Sequence, residues 1–310
     1  YGDWSSDVCS SDLLAVERAK RLAGAGVRRG DRVGLLMPAS LEAFALQMGV
    51  MCLGAVAVPI NARFKAREVS FVVRHAGMRL LVTEPSYAEV LAEAKAAEVC
   101  RVVVGLDDAA FVEGGADVPA GTVEEARALV TGDDDGLMLY TSGTTANPKG
   151  CVHRHSALVD EGRFAAERLR LTEVDRFWTP LPFFHCGSIA IFSAGLNAPC
   201  VSIQQPFFEP TEALDLLEHE RCTVAFPAFE TIWMPVLNHP RFPEADLSAL
   251  RTIINAGVPN SLVQMQQRLP HVPQVSCFGS TETCAFACIG DIDDSFEKRT
   301  TTSGIPLPGV

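Results

Sequence analysis

The sequence is short of positive charge: 26 Lys and Arg stand against 38 Asp and Glu, so the formal net charge of the 310 residues is −12. That balance excludes the basic surface that nucleic acids and anionic membranes require, and we expect no nucleic-acid partner. Aromatic residues are also few, at 7%, yet 48% of the residues are hydrophobic and the mean hydropathy is +0.17. This composition is too apolar for a disordered chain and predicts a globular protein with a sizeable core.

The ten cysteines form no C-x-x-C pair, and the N-terminal residues contain no cationic segment followed by an apolar run. The first absence argues against a zinc site built from cysteines, and the second against a secretory signal peptide. Nine of the cysteines lie in apolar contexts at irregular spacing, which is typical of reduced thiols in a cytoplasmic protein. These nine are Cys52, Cys100, Cys151, Cys186, Cys200, Cys222, Cys277, Cys284 and Cys288.

Residues 3–13 read DWSSDVCSSDL, which looks like the translation of a sequencing adapter. On that interpretation residues 1–13 are an artefact, and leaving out Asp3, Asp7 and Asp12 changes the net charge from −12 to −9. The alternative is a polar, disordered N-terminal tail. In both cases the prediction of the fold rests on residues 14–310.

The stretch Ala43–Ile60 is almost free of charge over 18 residues and could be mistaken for a membrane span. Gln47, Gly49 and Gly54 within it, and its change to a valine-rich sequence, indicate instead a helix followed by a buried strand. We therefore expect no transmembrane segment. The same alternation continues to residue 278, and strands that are apolar throughout indicate parallel pairing with both faces covered.

This alternation of strands and helices predicts an α/β fold of two doubly wound, mostly parallel sheets with helices between and around them. We place a first subdomain at residues 14–175 and a second at 176–310, and interpret the acidic segment 105–136 as a surface connection with one short helix. The predicted strands are 32–37, 55–60, 80–83, 101–104, 137–140, 176–179, 200–203, 222–226, 251–255 and 274–278. The predicted helices are 14–29, 40–53, 66–76, 87–98, 156–169, 188–197, 211–219, 229–237 and 260–268.

Residues 141–150, TSGTTANPKG, lie between a predicted strand and a predicted helix. Their hydroxyl groups and glycines let the backbone approach a polyphosphate, and Lys149 adds a point charge. The strict Walker pattern is absent, because Lys149 precedes Gly150 and no Ser or Thr follows it. The alternative is a flexible turn, but parallel sheets bind ligands at the carboxyl ends of their strands, so we predict a phosphate-binding loop.

The segment YTSGTTANPKG resembles the signature of the adenylate-forming superfamily, which comprises acyl- and aryl-CoA synthetases, luciferases and the adenylation domains of peptide synthetases. Further segments are similar to that family's motifs and follow in the same order: GDRVGLLMPAS, LGAVAVPINAR, PLPFFHCGS, NAGVPN, CFGSTE and SGIPLPG. The resemblance covers residues 14–310. It implies the fold of the large N-terminal domain of acyl-CoA synthetases and the activity of an AMP-dependent acid–CoA ligase.

The resemblance also implies a reaction and its reactants. A carboxylate attacks the α-phosphate of ATP, and the acyl-adenylate then acylates coenzyme A; ATP, Mg²⁺, coenzyme A and a small-molecule carboxylic acid are the expected reactants and cofactors. Thr281 would donate to the α-phosphate, and Glu282 would bind Mg²⁺ as a hard oxygen ligand. The residues that would hold the β- and γ-phosphates are Thr141, Ser142, Gly143, Thr144, Thr145 and Lys149.

The same family motifs imply an adenine cleft. Gly257, Val258 and Pro259 would form one side of it, and Phe278 and Gly279 the other. Phe278 stands where the family usually carries Tyr; its ring still stacks on a base, so only the hydrogen bond of the hydroxyl is missing.

His185, in FFHCGS, bears on the class of substrate. Peptide-synthetase adenylation domains carry an Asp there, which pairs with the amino group of their substrate, so the resemblance favours an acyl or aryl acid, bordered by His185, over an amino acid. The leading interpretation is a ligase of a fatty or short acyl acid. The alternatives are an aryl-CoA ligase, a luciferase-like enzyme, a peptide-synthetase adenylation domain, or a nucleotide-binding module without catalysis. For His185 itself, the alternative is an ordinary core or surface histidine.

In the family, a C-terminal barrel and a mobile domain that carries the adenylation lysine follow the segment similar to SGIPLPG. This sequence has no segment that matches them. We therefore expect residues 14–310 to bind ATP weakly and to be inactive on their own.

Overall fold

The computed structural model describes residues 10–141 and 147–309, with side chains from residue 12 onward. The chain divides into two compact units, Tyr1–Ser156 and Ala157–Val310. The division falls just after the start of helix α7 (His155–Leu169), whereas the sequence placed it after residue 175. Each unit holds one mixed β-sheet with helices, so the predicted α/β class is confirmed.

In the first unit the strands are β1 (Arg32–Leu36), β2 (Val56–Pro59), β3 (Leu80–Thr83), β4 (Arg101–Val104), β5 (Asp135–Thr141) and β6 (Lys149–Arg154). The helices are α1 (Ser10–Gly24), α2 (Leu41–Cys52), α3 (Ala66–Ala76), α4 (Ala88–Glu93), α5 (Ala109–Ala116) and α6 (Thr122–Ala128). The strands form one sheet in the order β4-β3-β1-β2-β5-β6. All neighbouring strands are parallel except β5 and β6, which are antiparallel.

Local sequence explains the helices that flank the first strands. Ser40 caps α2, because its hydroxyl accepts the N–H of Ala43 at 3.1 Å. In α3, Val69 and Val72 lie on one face and are fully buried. The helix ends at Gly77, whose φ of 62° suits a residue without a Cβ. The helix predicted at residues 66–76 is confirmed at both ends.

The segment 105–136 is more than the predicted surface connection with one short helix. It contains α5 and α6, and Phe111 of α5 is fully buried. Helix α5 lies so close to α1 that a Cβ on Gly24 would be 2.0 Å from the carbonyl oxygen of Gly114. Such packing through small residues leaves little hydrophobic periodicity in the sequence, which is why the pattern missed it.

Two other helices of the first unit differ from their predicted bounds. The helix predicted at 87–98 is interrupted after α4, because Lys95 has a left-handed φ of 55°. The helix predicted at 14–29 is α1, which ends at Gly24, before the left-handed Gly26 with its φ of 91°.

In the second unit the strands are β7 (Arg176–Thr179), β8 (Val201–Gln204), β9 (Val224–Phe229), β10 (Thr252–Ala256), β11 (Gln274–Ser280), β12 (Ala285–Ile289) and β13 (Ile305–Pro306). The helices after α7 are α8 (Cys186–Asn197), α9 (Pro210–His219), α10 (Glu230–Leu237), α11 (Pro259–Arg268) and α12 (Phe296–Thr301). The sheet order is β13-β12-β11-β10-β9-β7-β8. Strands β7 to β11 pair in parallel, and β12 and β13 add antiparallel pairs.

The centre of the second unit is built on two tryptophans. Trp178 of β7 and Trp233 of α10 are both fully buried, and their ring centroids lie 6.3 Å apart. Large aromatic side chains of this kind supply much of the buried apolar area of a core. No helix in the described ranges is long and apolar enough to cross a membrane.

The sequence prediction stopped at residue 278 and missed β12, α12 and β13. These elements are short and of mixed polarity, so they carry no clear period. Cys284 and Cys288 are four residues apart but do not lie on one helix: Cys288 lies in β12, and Cys284 lies in the turn before it.

Candidate active site

The predicted phosphate-binding loop closes a β-hairpin. β5 ends at Thr141, the chain returns as β6 from Lys149, and these two residues pair across the antiparallel ladder. The predicted helix therefore does not follow the loop directly; the six residues KGCVHR of β6 have no regular apolar alternation, and pairing with β5 makes them a strand. The remaining predicted phosphate ligands lie outside the described residues: Ser142, Gly143, Thr144 and Thr145.

The base of this hairpin is tightly packed. The Tyr140 hydroxyl lies 2.8 Å from Nδ1 of His75, and burial raises the pKa of Tyr140 to about 12. A Cβ on Gly150 would be 2.3 Å from Cε of Met138 and 3.3 Å from the Tyr140 ring. Lys149 itself is exposed. The exposed ammonium group of Lys149 therefore lies at the start of β6, directly after the predicted phosphate-binding loop.

In the second unit, four neighbouring strands, β7, β9, β10 and β11, end at one edge of the sheet. The strand order reverses between β7 and β9, since β8 lies outside β7 whereas β10 and β11 lie beyond β9. Ligands of open parallel sheets bind at the carboxyl edge, at such a reversal. The sequence-predicted residues at or just beyond these strand ends are His185, Gly257, Val258, Pro259, Phe278, Gly279, Thr281 and Glu282.

His185 lies next to the reversal, at the start of α8. Its Nδ1 accepts the N–H of Gly187 at 3.1 Å, so the proton of the neutral ring is on Nε2. The ring meets Phe229, at the end of β9, edge-on with centroids 5.8 Å apart. Burial lowers the pKa of His185, so the imidazole is neutral at pH 7. An uncharged ring at this place offers no partner to a substrate ammonium group.

The hairpin of β11 and β12 has an irregular backbone. The strand register shifts between Phe278 and Gly279. A Cβ on Gly279 would be 1.4 Å from the carbonyl oxygen of Ala285, so only glycine fits there. Cys284 and Ala285 take positive φ values of 63° and 111°. Backbone strain of this kind persists only where surrounding contacts fix it, and it is common at functional sites.

Two apolar side chains at the ends of β10 and β11 are largely exposed. Val258 is 64% exposed and Phe278 is 58% exposed. Pro259 starts α11 directly after Val258, and a Cβ on Gly257 would meet its nearest neighbour only at 3.7 Å. An aromatic face exposed beside a second apolar side chain suits a flat ring such as a nucleobase.

Thr281 and Glu282 form the tip of the β11–β12 hairpin. The Thr281 hydroxyl donates to Sγ of Cys186, the first residue of α8, at 3.8 Å. Glu282 is exposed to solvent. The tip thus carries a hydroxyl donor and an accessible carboxylate on consecutive residues.

Within the second unit, a neutral histidine at a strand-order reversal and a hydroxyl–carboxylate tip lie at the carboxyl edge of one sheet, where ligands of such sheets bind. The known family of AMP-binding enzymes matches residues 12–310. The chain belongs to this family. The predicted membership of the adenylate-forming superfamily is therefore confirmed.

Known members of the family that resemble the chain are acyl-CoA ligases. The long-chain-fatty-acid–CoA ligase FadD13 of Mycobacterium tuberculosis is 32% identical over 312 residues, which cover 96% of this chain and 60% of that protein. A feruloyl-CoA synthase of an Amycolatopsis species is 34% identical over 246 residues, or 78% of this chain and 47% of that protein. The chain thus spans about three fifths of FadD13.

Solved structures agree with this assignment. The inhibitor-bound N-terminal domain of FACL13 from Mycobacterium tuberculosis superimposes with a TM-score of 0.85 at 28% identity, covering 96% of this chain and 74% of that chain. The predicted fold of the N-terminal domain of acyl-CoA synthetases is confirmed.

The residues of this AMP-binding enzyme are compatible with magnesium. Among residues 10–141 and 147–309, no group of three or more His, Cys, Asp or Glu side chains is placed to hold a metal ion. Mg²⁺ does not need such a group, because it retains waters and binds through one or two carboxylates together with substrate phosphates. The exposed carboxylate of Glu282 fits that donor set.

Sequence reasoning missed Glu161 of α7. Its side chain is buried, and Oε1 accepts the N–H of Phe286, in β12, at 2.7 Å. The signal was present, since Leu158 and Ala165 place Glu161 on the apolar face of the helix. A carboxyl group on such a face requires a partner.

Proposed function

We propose that the protein is an ATP-dependent acid–CoA ligase that forms an acyl-adenylate and then an acyl-CoA, with release of pyrophosphate and AMP. The observation that supports this most strongly is the row of His185, Phe278 and Thr281 at the carboxyl edge of one sheet, in a chain of the AMP-binding enzyme family. The similar proteins FadD13 and feruloyl-CoA synthase are both named for the ligation of an acid to coenzyme A.

The chemistry requires activation of the acid, because a carboxylate is a poor electrophile. Attack of its oxygen on the α-phosphate forms the acyl–phosphate bond and breaks the bond to pyrophosphate. Negative charge then gathers on the phosphate oxygens, where hydrogen-bond donors stabilise it. We assign the donor at the α-phosphate to the Thr281 hydroxyl and the charge at the β- and γ-phosphates to Lys149, with Thr141, Ser142, Gly143, Thr144 and Thr145.

The remaining residues bind and orient the reactants. Glu282 would hold Mg²⁺, whose charge, when the ion is bound, offsets that of the phosphates. Phe278 would stack on the adenine, with Gly279 beside it and Gly257, Val258 and Pro259 opposite. His185 would border the acid as a neutral ring, so the favoured acid has no amino group to pair with a carboxylate.

For the acid we propose a fatty or short acyl chain. The support comes from FadD13 and from the medium-chain fatty-acid–CoA ligase of Escherichia coli, which is 28% identical over 92% of this chain. An aryl acid is the second candidate, since the 34% identical relative is a feruloyl-CoA synthase. The assignment to the cytoplasm also stays a proposal, supported by the nine described cysteines, which form no disulfide.

Product analysis tests the reaction. The product of the native gene is incubated with ATP, Mg²⁺, coenzyme A and single acids: acyl acids of graded chain length, and ferulate. We expect AMP release that requires both an acid and coenzyme A, with the strongest response to one acyl length. A response to ferulate alone would select the aryl alternative, and release of ADP would contradict the mechanism.

We further propose that residues 14–310 bind ATP weakly and form adenylate slowly, because the resemblance implies an adenylation lysine beyond the matched motifs and the chain spans 60% of FadD13. Exchange of labelled pyrophosphate into ATP measures this step. Exchange by residues 14–310 at the rate of a complete relative would contradict the proposal.

A further inference from the structure

Glu161 is a buried carboxyl group on the apolar face of a helix. It lies on the second turn of α7 and is 7% exposed, between Leu158 at 5% and Ala165 at 0%. Removing a carboxyl group from water costs free energy that a leucine at the same place would not cost. A contact made by the side chain must therefore account for its presence.

That contact is a hydrogen bond to the backbone of the β11–β12 hairpin. Oε1 of Glu161 accepts the N–H of Phe286 at 2.7 Å. Phe286 is the second residue of β12, and its ring packs on Phe226 of β9 with centroids 5.3 Å apart. The bond thus reaches the hairpin immediately after its turn.

The turn depends on outside contacts for its shape. Cys284 and Ala285 both have positive φ values, and the carbonyl oxygen of Ala285 leaves no room for a Cβ on Gly279. Two such residues in succession are unfavourable for the isolated backbone. The Glu161 bond fixes the end of the turn, and the contact between Thr281 and Cys186 at 3.8 Å fixes its beginning.

The Glu161 side chain is predominantly uncharged and so would not repel a phosphate bound nearby. Burial raises the pKa of Glu161 to about 8, against the smaller lowering effect of the Phe286 N–H. Burial also raises the pKa of the neighbouring Cys186 thiol. Both side chains are predominantly uncharged at pH 7 and do not repel an anion.

We propose that Glu161 is a positioning residue, which orients the Thr281 hydroxyl toward the α-phosphate by holding the N–H of Phe286. This inference rests on the proposed function, because it takes the α-phosphate as the partner of Thr281. Glu161 itself does not touch the substrate in this assignment. It acts through the backbone of the turn.

The experiment compares AMP with adenosine as ligands of the 310-residue chain by titration calorimetry. The ratio of their dissociation constants isolates the contribution of the α-phosphate. We expect T281V to reduce the preference for AMP by ~10-fold and E161L to reduce it by a similar factor. E161Q retains an acceptor oxygen and should keep the preference. In E161L/T281V the losses should not multiply, because both changes remove the same interaction.

Controls separate positioning from folding. L158A, on the same buried face, should lower the unfolding temperature without changing the preference for AMP. E161L leaves the Phe286 N–H without its acceptor but also removes the cost of burying a carboxyl group, so it is expected to fold; E161A serves as a second variant. Unfolding of both would show that Glu161 serves the fold and would overturn the assignment.

The two hypotheses fail in different ways. A wild-type chain that binds AMP no better than adenosine would contradict the proposed role of Thr281 in the function. A wild-type preference that persists in E161L, or losses that multiply in the double variant, would overturn the role of Glu161 alone. Amide exchange at Phe286 adds a readout without ligand: it should be slow in E161Q and fast in E161L.

Discussion

Each unit carries one antiparallel hairpin beside a parallel sheet, and the two hairpins are built differently. In the β5–β6 hairpin the register is regular from Leu137 to Thr141, where Thr141 pairs directly with Lys149, and it shifts only at the far end, between Asp135 and Leu137. The β11–β12 hairpin has a register shift, two residues with positive φ and a glycine that no other residue can replace. Each hairpin meets a helix side chain: in the first the Tyr140 side chain bonds to His75 of α3, whereas in the second Glu161 of α7 accepts a backbone N–H directly after the turn.

The two hairpins differ in how much of each can be predicted from consecutive residues of the sequence. The loop of the first hairpin has a continuous motif of hydroxyls, glycines and one lysine, so its chemistry is readable from ten consecutive residues. The turn of the second is bonded to Glu161, which lies 125 residues before Phe286.

The largest effect is expected for G279A. The new Cβ would meet the backbone oxygen of Ala285 at 1.4 Å, so the hairpin must open, at a cost of about 3 kcal/mol or more. The matched variant in the first hairpin is G150A, whose Cβ would meet the flexible end of Met138 at 2.3 Å. We expect it to cost only about 1 kcal/mol. Denaturant unfolding of both variants measures the difference, and equal losses would refute the contrast.

The second prediction concerns pH and Glu161. Its folded pKa of about 8 exceeds the ordinary value of 4.5, so the folded state binds more protons than the unfolded state between these values. Stability must then fall as pH rises from 4.5 to 8, by roughly 3–4 kcal/mol for this group. E161Q cannot titrate and should show a flatter stability profile. Parallel unfolding curves of wild type and E161Q across this pH range would contradict the prediction.

The third prediction is that variants in the two hairpins differ in which ligand, ATP or AMP, they bind more weakly. K149M removes the cation at the first hairpin and should weaken binding of ATP by ~10-fold or more, since a hydrogen bond to a charged group is lost. Binding of AMP, which has no β- or γ-phosphate, should remain unchanged. T281V should weaken both ligands. Calorimetric titrations test this, and a loss of AMP affinity in K149M would show that the assigned phosphate contacts are wrong.

The smallest effect is expected for Y140F. It removes the hydrogen bond between the Tyr140 hydroxyl and His75 at 2.8 Å, with an expected cost of about 1 kcal/mol. Because strand pairing holds this hairpin, affinity for ATP should fall less than ~3-fold. A larger loss of affinity would mean that the first hairpin, like the second, depends on a side chain from a helix.

Strong local periodicity accounts for what the sequence predicted well. Helix 66–76 and the strands 80–83, 101–104 and 176–179 are apolar in a clear pattern between turn residues, and their predicted ends agree with the structure. Short motifs of consecutive residues also supplied the residues that the structure places at or just beyond the strand ends of the second sheet, whereas phosphate binding by residues 141–150 stays a prediction.

Elements that tertiary contacts determine could not be found in this way. Strand β6 exists through pairing with β5, and α5 packs on α1 through glycines. The bond from Glu161 to Phe286 joins residues that no local pattern connects, although a Glu on an apolar helix face was a usable signal. The second hairpin was therefore predicted in its residue types but not in its shape.

The most direct test of the central claim is binding of a stable acyl-adenylate analogue to the 310-residue chain. Titration calorimetry compares N-dodecanoylsulfamoyl adenosine with AMP, since analogues of a reactive intermediate bind far more tightly than ground-state ligands. An adenylate-forming site predicts affinity at least ~100-fold above that of AMP, reduced in T281V. A folded chain that binds the analogue no better than AMP would contradict the account.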